Sequence, residues 1–406
     1  MNIVMVGPFG LQPRMTMRMR ALPLARALVR RGHAVTMLLP PWQNPENAGR
    51  CWEEKGVRIE NVALPRGVLG WFQARLTAQL THRVRQLDPD VIHAFKPKAY
   101  AGLVHLVVAR RYPVVVDTDD WEGPGGWNAL GEYSRVLQRF FTWQERWGLT
   151  HADSVTVASR ALQTLAWSMG GPPERVLYLP NGIEPQAVES PRRGEGRPTV
   201  LLYTRFFEFD LDRVWRILQT VRTRRPDVQV LVVGKGFSGE EVQLLQAARR
   251  AGWDVVEAPS ANGPDARAAA DPERADLWYP GFGTLENLPV CFATADVAIY
   301  PFADTLLNRT KCPVKLLELL AAGVPVVGDA VGQIAEVVVE GETGHLVCPG
   351  DDAAFAEAVL DLLADPAHLA RMRPAARADM ATRYAWDRLA GTAEEAYQYA
   401  MRRRSG

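Results

Sequence analysis

Short apolar strands alternate with amphipathic helices along the whole chain, and the alternation is interrupted once. In the first half the pattern predicts strands over 2–6, 34–39, 57–63, 91–94, 113–117, 154–157 and 176–179, with helices at about 16–31, 70–87, 98–111, 132–149 and 159–168. This is the pattern of βαβ units on a parallel sheet. Residues 184–198 then turn polar, with Pro185, Pro191, Pro198, Gly194 and Gly196, and read as a linker. The alternation resumes with strands over 199–204, 228–233, 253–257, 277–279, 297–300 and 324–328. Helices are predicted over 210–224, 239–251, 287–294, 313–322, 352–364, 367–380 and about 385–403, and a surface loop over 258–275. A chain of 406 residues exceeds what one core normally supports. The reading is therefore two α/β domains, 1–184 and 199–382, joined by a linker at 185–198. Residues 383–406 form a helix expected to pack back towards the first domain. Two such sheets predict a deep cleft lined by the carboxyl ends of strands, the usual ligand site of open α/β folds.

A formal net charge of +1 gives no reason to expect nucleic acid as a partner. Cys51, Cys291, Cys312 and Cys348 are scattered, without metal-ligand spacing, which fits a reducing cytoplasm. The opening apolar stretch at 3–6 is too short for a signal peptide, and no apolar run approaches the ~20 residues that span a bilayer. Of the 47 basic residues only six are lysines, so a lone arginine carries little information here and a lysine slightly more.

The most informative segment runs from Thr310 to Gly328, Thr-Lys-Cys-Pro-Val-Lys-Leu-Leu-Glu-Leu-Leu-Ala-Ala-Gly-Val-Pro-Val-Val-Gly. Pro313 suits a first helical position, Gly323 a left-handed stop, and Pro325 bars continuation. Val324–Val327 reads as a strand buried on both faces. A helix start at 313–315 offers N–H groups and partial positive charge to a phosphate. Lys315 stands in its first turn, with Glu318 one turn on along the same side. Alone, such a pair is more often a solvated ion pair worth a few tenths of a kcal/mol.

Other strings fall in order before it. Gly7 and Gly10 lie in the loop after the first strand, where a missing Cβ lets a substrate approach the backbone, although a plain tight turn fits equally well. His93, Lys96 and Lys98 follow one strand end, where they are candidates to line the acceptor side of the cleft, and Asp117-Thr-Asp-Asp-Trp-Glu122 follows another. The acidic string could hold Mg²⁺, bind acceptor hydroxyls through Asp117, Asp119 and Asp120 with Glu122 or Asp120 orienting the nucleophile, or be a solvated turn. His93 reads equally as a satisfied buried histidine, and Asn181-Gly182 is a turn signal.

Taken together, residues 1–35, His151–Arg160, Val176–Ile183, Tyr203-Thr-Arg-Phe-Phe-Glu-Phe-Asp210 and the 310–328 segment resemble the family-4 (group 1) retaining glycosyltransferases. The resemblance implies the GT-B architecture, two Rossmann-like parallel-sheet domains facing the cleft, with acceptor bound by the first and nucleotide-sugar by the second. It implies sugar transfer from a nucleoside-diphosphate-sugar to a hydroxyl acceptor with retention. The nucleotide-sugar is a co-substrate, no resident cofactor is implied, and Mg²⁺ is not expected to be required. Glu318 would contact the ribose, Arg205 and Lys315 the diphosphate, and the backbone at Pro313 and Val314 would complete the cradle.

Two departures stand out. The family's lysine five positions after the arginine is Asp210 here, leaving Lys235, Lys311 or Lys315 to substitute, and Lys315 is favoured. Its glutamate eight positions before Glu318 is Thr310, so Asn308, Arg309 and Thr310 are candidates for the donor sugar's hydroxyls. A non-catalytic binding module of the same fold, or a sugar-nucleotide epimerase, are the competing readings. Many relatives act at the inner membrane face. Arg14, Arg18, Arg20, Arg26, Arg30 and Arg31, interleaved with methionines, and Trp71-Phe72 with Arg75, Arg83 and Arg85 are candidates for peripheral contact, or else plain surface helices.

Overall fold

The computed structural model describes residues 1–66, 71–130, 133–184, 196–257, 274–281 and 288–405. The predicted linker therefore lies outside the described residues as far as 195, and the predicted loop from 258 as far as 273. The chain divides into two compact units. The first comprises Met1–Glu184, Arg309–Cys312 and Tyr384–Gly406; the second comprises Pro185–Asn308 and Pro313–Arg383.

The first unit holds an eight-stranded sheet: β1 (Asn2–Val6), β2 (Ala34–Leu39), β3 (Cys51–Glu54), β4 (Val57–Asn61), β5 (Val91–Phe95), β6 (Val114–Thr118), β7 (Ser154–Val157) and β8 (Val176–Tyr178). Their order is β3-β4-β2-β1-β5-β6-β7-β8. All pair in parallel except β3 with β4. The unpredicted β3 forms a hairpin through Lys55 and Gly56, both at positive φ (52° and 80°), as a tight two-residue turn demands. The helix Trp386–Ser405 belongs to this unit. Its Trp386, Leu389, Ala393, Ala396 and Tyr397 enter one core with Leu24, Leu28, Ile3 and Met5, and the small residues let the helix lie close against its neighbours.

The second unit holds seven strands: β9 (Thr199–Thr204), β10 (Gln229–Gly234), β11 (Val255–Glu257), β12 (Leu277–Tyr279), β13 (Val297–Tyr300), β14 (Val326–Asp329) and β15 (Gly344–Val347). Their order is β11-β12-β10-β9-β13-β14-β15, all parallel. Burial on both faces explains the apolar runs of β9, β10 and β13. The short β15 was not predicted. It opens on Gly344, where a Cβ would stand 2.0 Å from the Val326 carbonyl oxygen, so the strand begins on a residue that reads as a breaker. Both units present strand carboxyl ends to the loops that carry the candidate residues.

Candidate active site

In the second unit, β9 ends on Tyr203 and Thr204, and the helix Val314–Ala321 brings Lys315 and Glu318 onto Tyr203. Lys315 Nζ lies 3.7 Å from the Tyr203 ring centroid and donates to the Thr204 carbonyl at 3.3 Å. The Tyr203 hydroxyl donates to Glu318 Oε2 at 3.0 Å. Burial lowers the Lys315 pKa to about 8; Glu318 and Glu208 pull it up but do not compensate, and the Arg205 charge lowers it further. Burial raises Glu318 despite Tyr203 and Lys315, and burial beside Glu318 pushes the Tyr203 phenol up. Tyr203, Thr204, Glu208, Tyr300, Phe302 and Lys315 line a small recess at this strand end.

Pro313 is the N-cap (φ −75°, ψ 105°), so the helix opens at Val314, one residue later than predicted. Among the described residues no side chain caps this end, and Val314 and Lys315 precede the helix's own ladder, which begins with Leu316 and Leu317 donating to Pro313. Arg205 is exposed, with its guanidinium 5.2 Å from the Phe237 ring and 5.8 Å from Phe207. Lys235 is exposed just past β10. Before it, Gly234 (φ 149°) is required because a Cβ would stand 1.9 Å from the Thr204 oxygen. Asp210, at the place of the absent lysine, is the N-cap of the helix Leu211–Arg224 and accepts from Arg213 N–H at 3.0 Å.

Three donor-side expectations change. Asn308 spends its amide on the carbonyls of Glu208 (2.7 Å) and Ala303 (2.8 Å), which fixes a loop. Arg309 and Thr310 belong to the first unit, where buried Thr310 accepts from the Ser159 hydroxyl through its carbonyl at 2.7 Å. Gly7 is buried in the first unit too. A Cβ there would meet Met17 Sδ at 2.7 Å, so the absent atom makes room for the core and not for a ligand; at Gly10 the nearest atom is an ordinary 3.5 Å away.

The first unit gathers its own cluster at the ends of β5 and β6. Lys96 Nζ lies 3.0 Å from Asp119 Oδ1, 3.0 Å from Asp120 Oδ2 and 3.4 Å from Glu122 Oε1. Lys98 Nζ donates to Glu122 at 2.6 Å and Asn128 at 3.3 Å, over the Tyr133 and Phe141 rings. Burial alone would lower Lys96, but the three carboxylates outweigh it and hold its pKa well above the ordinary value. Burial lifts Asp119, whereas at Asp120 the pull of Lys96 prevails over burial and the pKa falls. Asp120 is the most accessible of the three, with 22% of its side chain exposed. Among the described residues no group of three or more His, Cys, Asp and Glu is placed to hold a metal ion.

Two acceptor-side expectations are corrected. Asp117 is fully buried and takes both Arg20 Nε (2.7 Å) and Nη2 (2.6 Å), with Thr156 donating at 2.7 Å. Its oxygens are committed to an ion pair. His93 is fully buried between Tyr397 (2.8 Å) and Thr156 (3.2 Å), and burial lowers its pKa to about 4. Both support the sheet end without reaching solvent. Arg20 also donates to Asn181, whose amide holds the Cys312 carbonyl at 2.8 Å, so the Asn181-Gly182 turn has an architectural job.

Sequence reasoning missed Arg20, Tyr203 and Glu145. Arg20 lies in phase with buried Met17, Ala21 and Leu24, which was the available signal. Glu145 is fully buried in the helix Arg135–His151, accepts from Thr118 at 3.0 Å, and is pushed up to about 8 by burial and Glu122. The basic run proposed for membrane contact is largely neutralised: Arg26 pairs with Glu54 and Glu184, Arg30 with Asp387, and Arg31 with Glu394. Among the described residues no helix is long and apolar enough to cross a membrane.

Two Rossmann-like domains with these strand-end sites define the GT-B class of fold. A model of the glycosyl transferase 4-like domain matches residues 16–182, and one of glycosyl transferases group 1 matches residues 279–365. The chain belongs to the group 1 (family-4) glycosyltransferases, enzymes that transfer sugar from nucleotide-sugar donors. It is 28% identical over 365 residues to a GDP-mannose-dependent alpha-(1-6)-phosphatidylinositol monomannoside mannosyltransferase of Mycolicibacterium smegmatis, covering 86% of this chain and 85% of that one. In structure it resembles sucrose-phosphate synthase from Thermosynechococcus elongatus (TM-score 0.67, 19% identity, 98% of each chain). It also resembles Anabaena Alr3699/HepE in complex with UDP (TM-score 0.67, 18% identity, 97% of this chain and 99% of that one).

Proposed function

We propose that the second unit binds the nucleoside-diphosphate-sugar and the first unit the hydroxyl acceptor, and that transfer retains the anomeric configuration. The observation that carries this reading is the convergence of Lys315 and Glu318 on Tyr203. An ammonium group whose burial is not compensated gains most when a diphosphate arrives, and Arg205 adds a second cation whose field reaches it. Glu318, held by the Tyr203 hydroxyl, is the carboxylate for the ribose. The helix start at Val314 adds its partial positive charge to the phosphate contact. Lys235, exposed at the neighbouring strand end, is a further contact for the phosphates.

In the transfer the bond from the sugar's anomeric carbon to the diphosphate oxygen breaks and one to the acceptor oxygen forms on the same face. The acceptor proton leaves with the departing phosphate. Positioned cations neutralise the charge that develops on that oxygen, which is usually the largest single contribution to such a rate. On the acceptor side, Asp120, held in place by Lys96, is the group for a hydroxyl, because Glu122 is engaged by both lysines. No metal ion is needed for this chemistry when two cations and a helix start hold the diphosphate. The absence of any disulfide among the four cysteines supports a reducing, cytoplasmic setting. The mycobacterial relative's phosphatidylinositol monomannoside substrate supports a lipid-borne acceptor met at a membrane surface.

The test is nucleotide release from a panel of UDP-, GDP- and ADP-sugars, with and without lipid and glycan extracts, with the product anomer read by NMR. Acceptor-dependent release of one nucleotide with an unchanged anomer is the expected result. Inversion would refute the retaining assignment, and nucleotide binding without turnover would favour a non-catalytic module.

A further inference from the structure

The helix Arg135–His151 in the first unit carries two apolar faces where a surface helix ordinarily has one. Its inner face buries Phe141, Gln144, Glu145, Gly148 and Leu149. On its outer face Val136 is 78% exposed, Trp143 47% and Phe140 36%. These residues follow one another at helical spacing, and with Trp147 they form a ladder. The Phe140 and Trp143 rings stack at 5.9 Å, and Trp147 follows at 6.4 Å. At 100° per residue, Arg135, Arg139 and Arg146 fall in a second row directly beside the aromatic one. All three arginines are exposed, no ion pair among the described residues involves them, and the helix's one acid, Glu145, is buried. An aromatic row flanked by unneutralised arginines suits the headgroup layer of an anionic membrane, where rings enter the acyl boundary and guanidinium groups meet phosphates.

We propose that this outer face docks the enzyme on an anionic lipid surface. The inference rests on the reading of a membrane-borne acceptor and gives it a place. Charge decides the occupant: a buried protein interface would leave three cations to be matched one by one, whereas an anionic bilayer neutralises them without a specific partner. The helix also ties the surface to the chemistry. Its inner residues Phe141, Gln144 and Glu145 touch Lys98, Ala99 and Thr118, the residues that carry the acceptor-side cluster. Docking therefore brings that cluster to the height of lipid headgroups. The basic run at 14–31 is unsuited to the task because its arginines are largely paired with acids of the same unit.

Flotation of the full chain with phosphatidylcholine vesicles containing phosphatidylglycerol, against pure phosphatidylcholine vesicles, tests it at low salt. The expected result is partition onto the anionic vesicles alone. The Arg135→Gln/Arg139→Gln/Arg146→Gln variant should lower that partition roughly a hundredfold, given the free energy each basic side chain contributes near such a surface. Phe140→Ser/Trp143→Ser should lower it as well. Wild-type protein that ignores both vesicles overturns the proposal, as do variants that partition like wild type. A dimer in sedimentation equilibrium that Trp143→Ser abolishes, without flotation, overturns it in favour of a protein interface. Thermal shift with GDP and UDP runs in parallel and reads the donor site alone. Loss of that shift in wild type would count against glycosyl transfer, and not against this surface.

Discussion

Lys96, buried, and Lys315, half-buried, both lie near the carboxyl end of a strand, and their surroundings move them in opposite directions. Around Lys96 three carboxylates overcome burial, so its charge is matched as soon as the first unit folds. Around Lys315 the nearby charges do not overcome burial, and the ammonium rests on an aromatic ring and a backbone carbonyl at a pKa of about 8. A compensated cation is part of the scaffold. An undercompensated one is poised for an anion, because the ligand supplies what the fold withholds.

The comparison can be broken most directly at Lys96. Lys96→Met leaves Asp119, Asp120 and Glu122 crowded and should cost about 3–5 kcal/mol of stability, the usual cost of removing one partner from a buried ion pair, read by urea unfolding. Lys315→Met should do the reverse: no loss of stability, but a fall of roughly 100–1,000-fold in kcat/KM for nucleotide-sugar. Equal stability losses in the two variants would erase the distinction.

The pH dependence sharpens it. Because the folded pKa of Lys315 lies below its unfolded value, the folding cost of its charge is fully present below pH 8. That cost disappears between about 8 and the ordinary lysine value. Donor binding needs the ammonium form, so donor KM should rise as pH passes about 8, and the limb should vanish in Lys315→Met. A limb that survives the substitution would point to another group. The smallest expected effect is at Asp210, which the fold uses as a helix cap. Asp210→Ala should cost about 1 kcal/mol of stability in the second unit with kcat unchanged.

How much of this was legible beforehand differs between the two regions. The Lys315–Glu318 pair could be read because both groups sit on one short helix, where spacing alone puts them on one side. Their common partner Tyr203 is 115 residues away and announced nothing. On the acceptor side the string 117–122 was visible, but its residues divide by burial. Asp117 turns inward onto Arg20, and Asp120 stays accessible. The placement of Arg309 and Thr310 in the first unit was equally hidden, since sequence neighbours of Asn308 gave no sign that the chain changes unit there.

The parallel α/β alternation, the two-domain organisation and the family motifs follow from local pattern, because strand and helix periodicities are written residue by residue. Which charges are matched and which are left undercompensated was decided only by folding. That balance depends on desolvation and on partners a hundred residues distant, and neither is a property of any local stretch of chain.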